Sequence, residues 1–240
     1  MTLNLFHNET MYRRIIHLKH CCIALFILFP FLIPEPCFGA EDTLHHSDRH
    51  HSFEEIEKWI SLFEDPERRT WQKPDEVVNR LKLKPGDVIA DIGAGTGYFT
   101  RLFAVAVGPK GTALGLDTEP AMVEYMRKDA EKKKLKNYIP VIVEPDAPGL
   151  DPGSADVIFI CDTLHHIDDR VNYLRRIARS LKPDGRIVVI DFFKKPLPVG
   201  PPLWMKLKKE EVIEEFQQAG YRLTNSHDIL PYQYFLEFSL

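Results

Sequence analysis

The stretch Val88-Ile89-Ala90-Asp91-Ile92-Gly93-Ala94-Gly95-Thr96-Gly97-Tyr98-Phe99 decides the fold. Residues 88–92 read as a buried strand, apolar except for one acid near its end. Three alternate glycines interrupt the strand, and apolar helical spacing resumes at Tyr98. Glycines at this spacing let the backbone turn tightly and pass close to a ligand, and the first N–H groups of the next helix face that ligand. The pattern is that of a nucleotide-binding turn. Spacing narrows the ligand, because a dinucleotide fingerprint needs Gly or Ala at the sixth position. Counted from Gly93, the sixth residue is Tyr98. A phosphate loop is excluded too, since no Gly-Lys-Ser/Thr follows.

On the amino side, Phe53, Ile56, Ile60 and Phe63 recur at helical spacing behind the capping pattern Ser52-x-x-Glu55. Pro74 opens a second short helix with Val77, Val78 and Leu81 inward, and Lys84-Pro85-Gly86-Asp87 turns into the first strand. On the carboxyl side, strands at 112–116, 139–143, 156–161 and 186–192 alternate with helices from Tyr98, from Pro120, at 169–181 and at 208–219. Segments 222–226 and 234–238 read as closing strands. Such alternation predicts a parallel sheet covered on both faces, with the ligand at the carboxyl ends of the strands where strand order switches. Segment 144–155 is rich in Pro and Gly and too short for a full helix, so one covering helix is expected to be missing.

Asp91-x-Gly93-x-Gly95-x-Gly97 is followed in order by Asp117, by Asp146-Ala147, by the run from Asp156 to Ile167 with its paired histidines, and by the run from Leu181 to Asp191. This ordered set resembles the class I S-adenosylmethionine-dependent methyltransferases of broad small-molecule type, and the resemblance covers about 85–240. It implies a Rossmann-like α/β fold: a seven-stranded, mostly parallel sheet with helices on both faces and the last strand antiparallel. It implies S-adenosyl-L-methionine as cofactor, and transfer of a methyl group to a small-molecule or lipid-like acceptor by in-line displacement.

The resemblance assigns cofactor roles to Asp91, Gly93, Ala94, Gly95 and Gly97 in the loop, to Asp117 with Thr118 for the ribose, to Asp146 with Ala147 for the adenine, and to Asp162 on the rim. Plainer readings stand beside these, with Asp117 capping the helix at Pro120 and Asp146 serving as a turn residue. Displacement at a sulfonium has a good leaving group, so alignment and water exclusion carry much of the catalysis. An acceptor that is a hydroxyl or an acidic carbon also needs a base. His165 and His166 are the catalytic candidates by virtue of their ordinary pKa, against a plainer role in packing or capping. Asp162 and Asp191 share that rim, and Tyr98 and Trp71 are candidates for lying against the sulfonium or closing the pocket. Methylation of adenine or glutamine amino groups uses an Asn/Asp-Pro-Pro-aromatic run, where this chain has Cys161-Asp162-Thr163-Leu164. Two other readings remain: a non-catalytic nucleoside-binding protein of the same fold, and a nucleotide-dependent oxidoreductase, which Tyr98 disfavours.

A chain of 240 residues, 44% hydrophobic, holds one sizeable core. In residues 1–40, Arg13, Arg14 and Lys19 precede the apolar stretch Cys21 to Ile33, and small residues follow, as in a signal peptide or membrane-targeting segment. Pro30 interrupts the stretch, which is shorter than the roughly 20 residues of a spanning helix. The expected placement is therefore exported or membrane-associated through this segment, periplasmic in a bacterium, with the cytoplasm, where the cofactor is found, as the alternative. Residues 41–51 form a His-rich linker, and 52–84 form a helical cap on a methyltransferase domain at 85–240. Residues 1–40 carry three of the 31 Lys/Arg and two of the 35 Asp/Glu, so the remainder has 28 basic against 33 acidic residues, a net charge of −5. That balance argues against nucleic acid as a partner. Only Cys161 of four cysteines lies beyond the leader, which excludes a disulfide framework and a zinc-ligand set. The expected partner is a small-molecule acceptor, with no metal and no obligate protein partner.

Overall fold

A computed structural model describes residues 53–240; the leader at 1–40, the His-rich linker and Ser52 of the capping pattern lie outside the described residues. Three helices, α1 (Phe53–Phe63), α2 (Arg68–Gln72) and α3 (Pro74–Leu81), precede the sheet. Then follow β1 (Val88–Ile92), α4 (Thr100–Val107), β2 (Thr112–Asp117), α5 (Pro120–Lys133), β3 (Tyr138–Ile142), β4 (Ala155–Cys161), α6 (Arg170–Ile177), β5 (Leu181–Phe192), α7 (Lys209–Gln218), β6 (Arg222–His227) and β7 (Gln233–Ser239). The strands form one sheet in the order β3-β2-β1-β4-β5-β7-β6. The first five pair in parallel, and β7 inserts between β5 and β6, antiparallel to both. This is the seven-stranded, mostly parallel sheet expected from the sequence.

Because helices cover both faces, the central strands carry long apolar runs, such as Val157–Cys161 and Ile187–Ile190, as strands buried on two sides do. Alternate residues of β5 enter different cores: Ile187 and Val189 join Leu174, Ile177 and Phe216 on one face, and Val188 and Ile190 join Phe103, Met126 and Phe159 on the other. Each face buries several complete aromatic side chains, worth about 2–3 kcal/mol apiece in apolar area removed from water.

Two elements differ from expectation. Helix α2 has no counterpart in the sequence reading, because five residues are too few to show a period. Strand β5 begins at Leu181 rather than 186: Leu181 pairs with Ala155, and a register shift before Val157 absorbs the Lys182-Pro183-Asp184-Gly185 turn. Between β3 and β4 there is no helix, as expected, and Ile142 is left exposed. No described helix is long and apolar enough to cross a membrane. An open cavity of about 610 Å³ lined by Val105, Pro109, Lys136 and Asn137 lies at the amino ends of β2 and β3, at the opposite end of the strands from the glycine loop.

Candidate cofactor and acceptor site

Strand order switches at β1, with β2 leaving to one side and β4 to the other, so the glycine loop sits at the mouth between them. Gly93, Gly95 and Gly97 all have left-handed backbones, with φ of 69°, 54° and 72°. A Cβ at Gly93 would strike the Thr163 side chain, and one at Gly97 would strike the Tyr138 hydroxyl. At Gly95 a Cβ would meet only the Phe63 ring of α1, at 3.3 Å. Two glycines thus serve the chain's own packing, and the middle one faces the helices that cover the loop.

Most of the loop N–H groups are already bonded. Gly93 and Ala94 both donate to the Leu116 carbonyl at 2.8 and 3.0 Å, and Gly97 donates to Ala94. Gly95 donates to Asp117 Oδ2 at 2.7 Å, while Oδ1 accepts from Glu119 N–H at 2.9 Å. Asp117 therefore ties the loop to the start of α5, where Glu119 caps the helix and Pro120 opens it. Burial raises the Asp117 pKa against the opposing pull of these N–H donors.

The other sequence-assigned positions fall in three settings. Asp91 lies beneath the loop, 3% exposed, accepting from Thr100 Oγ1 at 2.6 Å, and burial pushes its pKa up to about 7. Thr118, Asp146 and Ala147 are exposed past the ends of β2 and β3. Ala147 N–H closes its turn on the Glu144 carbonyl, and Arg176 Nε donates to the Asp146 carbonyl. Asp162 ends β4 with a left-handed backbone, φ 54°, a conformation that concentrates at functional sites.

Asp162 also anchors a strap the sequence did not reveal. Gln72, fully buried, donates from Nε2 to Asp162 Oδ2 and approaches Cys161 Sγ, both at 3.1 Å, and Gln233 donates to Asp162 Oδ1 at 2.6 Å. Arg68 bonds Gln72 and the Phe63 carbonyl, and its guanidinium lies 4.2 Å from the centre of the Tyr98 ring. Glu64 grips Arg101 of α4 through two hydrogen bonds of 2.5 and 2.8 Å. Trp71 packs its ring against Phe192 and Tyr232. Helices α1 and α2 thus lie over the glycine loop and bridge to the ends of β4 and β5. The sequence signalled this through the helical cap expected at 52–84 and through Trp71, but not through the polar contacts of Gln72, Arg68 and Glu64.

On the rim, the two histidines have separated. His165 is buried, and its Nδ1 stands 3.1 and 3.0 Å from the two Asp191 oxygens at the end of β5. Burial would lower the His165 pKa, but the hydrogen bond and charge of Asp191 outweigh it and raise the pKa. His166 is exposed, its ring 4.3 Å from that of His165, and partial desolvation together with the charge of His165 lowers its pKa. Burial, reinforced by Asp191, raises the pKa of Asp162. Tyr98 Oη, near the loop, is buried and has no hydrogen-bond partner among the described residues.

Comparison with known proteins bears on the family and the fold. A family model described as a methyltransferase domain matches residues 83–229. A ubiquinone/menaquinone biosynthesis C-methyltransferase of Ectopseudomonas mendocina is 32% identical over 157 residues, covering 65% of this chain and 59% of its own. The 27-O-demethylrifamycin SV methyltransferase of Amycolatopsis mediterranei is 29% identical over 164 residues, covering 66% and 56%. The chain thus spans somewhat more than half the length of these two relatives. A solved SAM dependent methyltransferase from Aquifex aeolicus superposes with a TM-score of 0.72 at 26% identity, covering 78% of this chain and 98% of that one. This chain belongs to the class I S-adenosylmethionine-dependent methyltransferases.

Proposed function

We propose that this chain binds S-adenosylmethionine at the glycine loop and methylates a small-molecule acceptor held under α2 and the end of β5. The observation that carries the reading is the Gly95 to Asp117 bond: a left-handed glycine at the strand-order switch and a carboxylate at the end of β2 meet where a nucleoside sugar binds in this architecture. The buried, unpartnered Tyr98 hydroxyl and the left-handed Gly95 backbone fit a bound polar ligand at this place. The bound cofactor supplies an electrophilic methyl group on a sulfonium whose departure leaves a neutral thioether. Asp117 accepts the ribose hydroxyls, Asp146 and the Ala147 backbone meet the adenine, and Arg68 adds a positive charge on the covering side for a carboxylate. Helices α1 and α2 exclude water from the loop, which strengthens each of these interactions.

His165 acts as the base for an ionisable acceptor, with Asp191 holding Nδ1 as the donor and leaving Nε2 to accept a proton. The acceptors named for the relatives, a quinone precursor and a rifamycin, support an apolar ring-bearing small molecule as the class.

Calorimetric titration of the full chain with S-adenosylhomocysteine tests the cofactor reading. Saturable binding that is lost in Gly95→Val and weakened about tenfold or more in Asp117→Ala is expected. Preference for NAD, or unchanged affinity in both variants, overturns it.

A further inference from the structure

We propose that the loop between β5 and α7 is a docking surface for an anionic lipid bilayer. Residues 196–205, Pro-Leu-Pro-Val-Gly-Pro-Pro-Leu-Trp-Met, contain no charged and no hydrogen-bonding polar side chain apart from the Trp204 indole. Trp204 is 79% exposed and Leu203 49%, far from the burial such residues find in a core. Four prolines stiffen the segment, so holding it in one shape costs little chain entropy. Its neck is closed by Lys206, whose Nζ donates to the Lys195 carbonyl at 3.1 Å, and its middle is seated by Gly200, where a Cβ would lie 2.7 Å from the Phe192 ring. The apolar tip is therefore held out by the fold itself.

The charge around the tip selects the partner. Between Asp191 and Glu210 there are five lysines and no acidic residue, in a chain whose net charge is −4. Lys194 and Lys195 stand on one side of the neck and Lys208 and Lys209 on the other. Lys208 pairs with Glu211 and Lys209 bonds Ser226, whereas Lys194 and Lys195, both exposed, make no ion pair among the described residues. An exposed indole and leucine in a loop flanked on both sides by exposed or half-exposed lysines match the apolar boundary and the anionic headgroups of a membrane surface. An uncharged apolar protein groove would leave these lysines without a partner. Joined to the methyl-transfer reading, on which this clause alone rests, the loop brings an acceptor dissolved in the bilayer to the β5 end of the site.

Tryptophan fluorescence of the full chain, mixed with vesicles of phosphatidylcholine with or without phosphatidylglycerol and carrying brominated acyl chains, reads insertion of the tip. The apolar stretch near residue 21 can bind lipid independently, so the measured quantity is the quenching present in the wild type and absent in Trp204→Phe. That quenched component is expected with phosphatidylglycerol, falling at least severalfold without it, with high salt, in Leu203→Ser and in the double variant Lys194→Gln/Lys195→Gln. Equal quenching in wild type and Trp204→Phe overturns the proposal, even where the chain sediments with vesicles. So does burial of Trp204 in a concentration-dependent dimer with no vesicle-induced quenching, which identifies a second copy as the occupant. Neither result touches S-adenosylhomocysteine binding, so this inference and the methyltransferase reading fail separately.

Discussion

The fold controls the protonation of both Asp91 and His165, and the two respond to pH in different ways. Burial lifts Asp91 from 3.8 to about 7, so between those values the folded chain holds a proton that the unfolded chain has released. That proton stabilises the fold at low pH, and its contribution declines as pH rises toward 7. Asp91→Asn keeps an acceptor for Thr100 and removes the ionisation. Its stability relative to wild type is expected to rise from about pH 5 to about pH 8, read as the difference in urea midpoint; parallel curves would contradict the assignment. His165, held by Asp191, has a pKa above its ordinary 6.5, and a base works only once its proton is gone. With an acceptor that must be deprotonated, the turnover rate is expected to rise with pH through a limb centred above 6.5. Asp191→Asn should shift this limb downward and lower kcat by about 10²–10⁴-fold, as loss of an orienting carboxylate does. A limb unmoved by Asp191→Asn would remove His165 from the chemistry.

Among the elements, α2 is the one on which the site depends and the one the sequence hid. Gln72→Leu keeps the volume in the fully buried position and leaves Asp162 without one of its two side-chain donors. A loss of about 1–3 kcal/mol in unfolding free energy is expected, together with weaker S-adenosylhomocysteine binding by calorimetry, because the strap then holds α1 and α2 less firmly over the loop. Loss of stability with unchanged affinity would make α2 purely structural. The strands and α4 to α7 were legible because each spans enough residues to display its period and is bounded by turn residues such as Gly111, Pro120 and Gly220. The glycine loop was legible for a related reason, since a left-handed backbone restricts residue choice, and Asp117 was legible from its place at the end of the second strand after that loop. Gln72 and the Glu64 to Arg101 pair were not legible, because their roles arise from contacts across 37 to 90 residues of chain that no local spacing encodes. The partition of His165 and His166 between buried and exposed was hidden likewise, since it follows from where Asp191 arrives at the end of β5.

At the scale of the whole molecule, the last strand in sequence is an interior strand of the sheet. Phe235, Leu236 and Phe238 of β7 are fully buried, with Phe235 in one core and Leu236 and Phe238 in the other. A chain ending at residue 231 loses the only neighbour of β6 among the described residues, opens the edge of β5 and uncovers both cores at once. It is expected to lose near-ultraviolet circular dichroism and cooperative unfolding while retaining helical signal; a cooperative transition in that truncated chain would contradict this account. The same insertion sets a schedule for biosynthesis. Strand β6 leaves the ribosome before the strand that will join it to β5, so the sheet is completed only when Gln233–Ser239 emerge. Until then β5 presents an unpaired edge, and the window for strand exchange or chaperone capture stays open until β7 has been made rather than closing progressively as β1 to β6 appear.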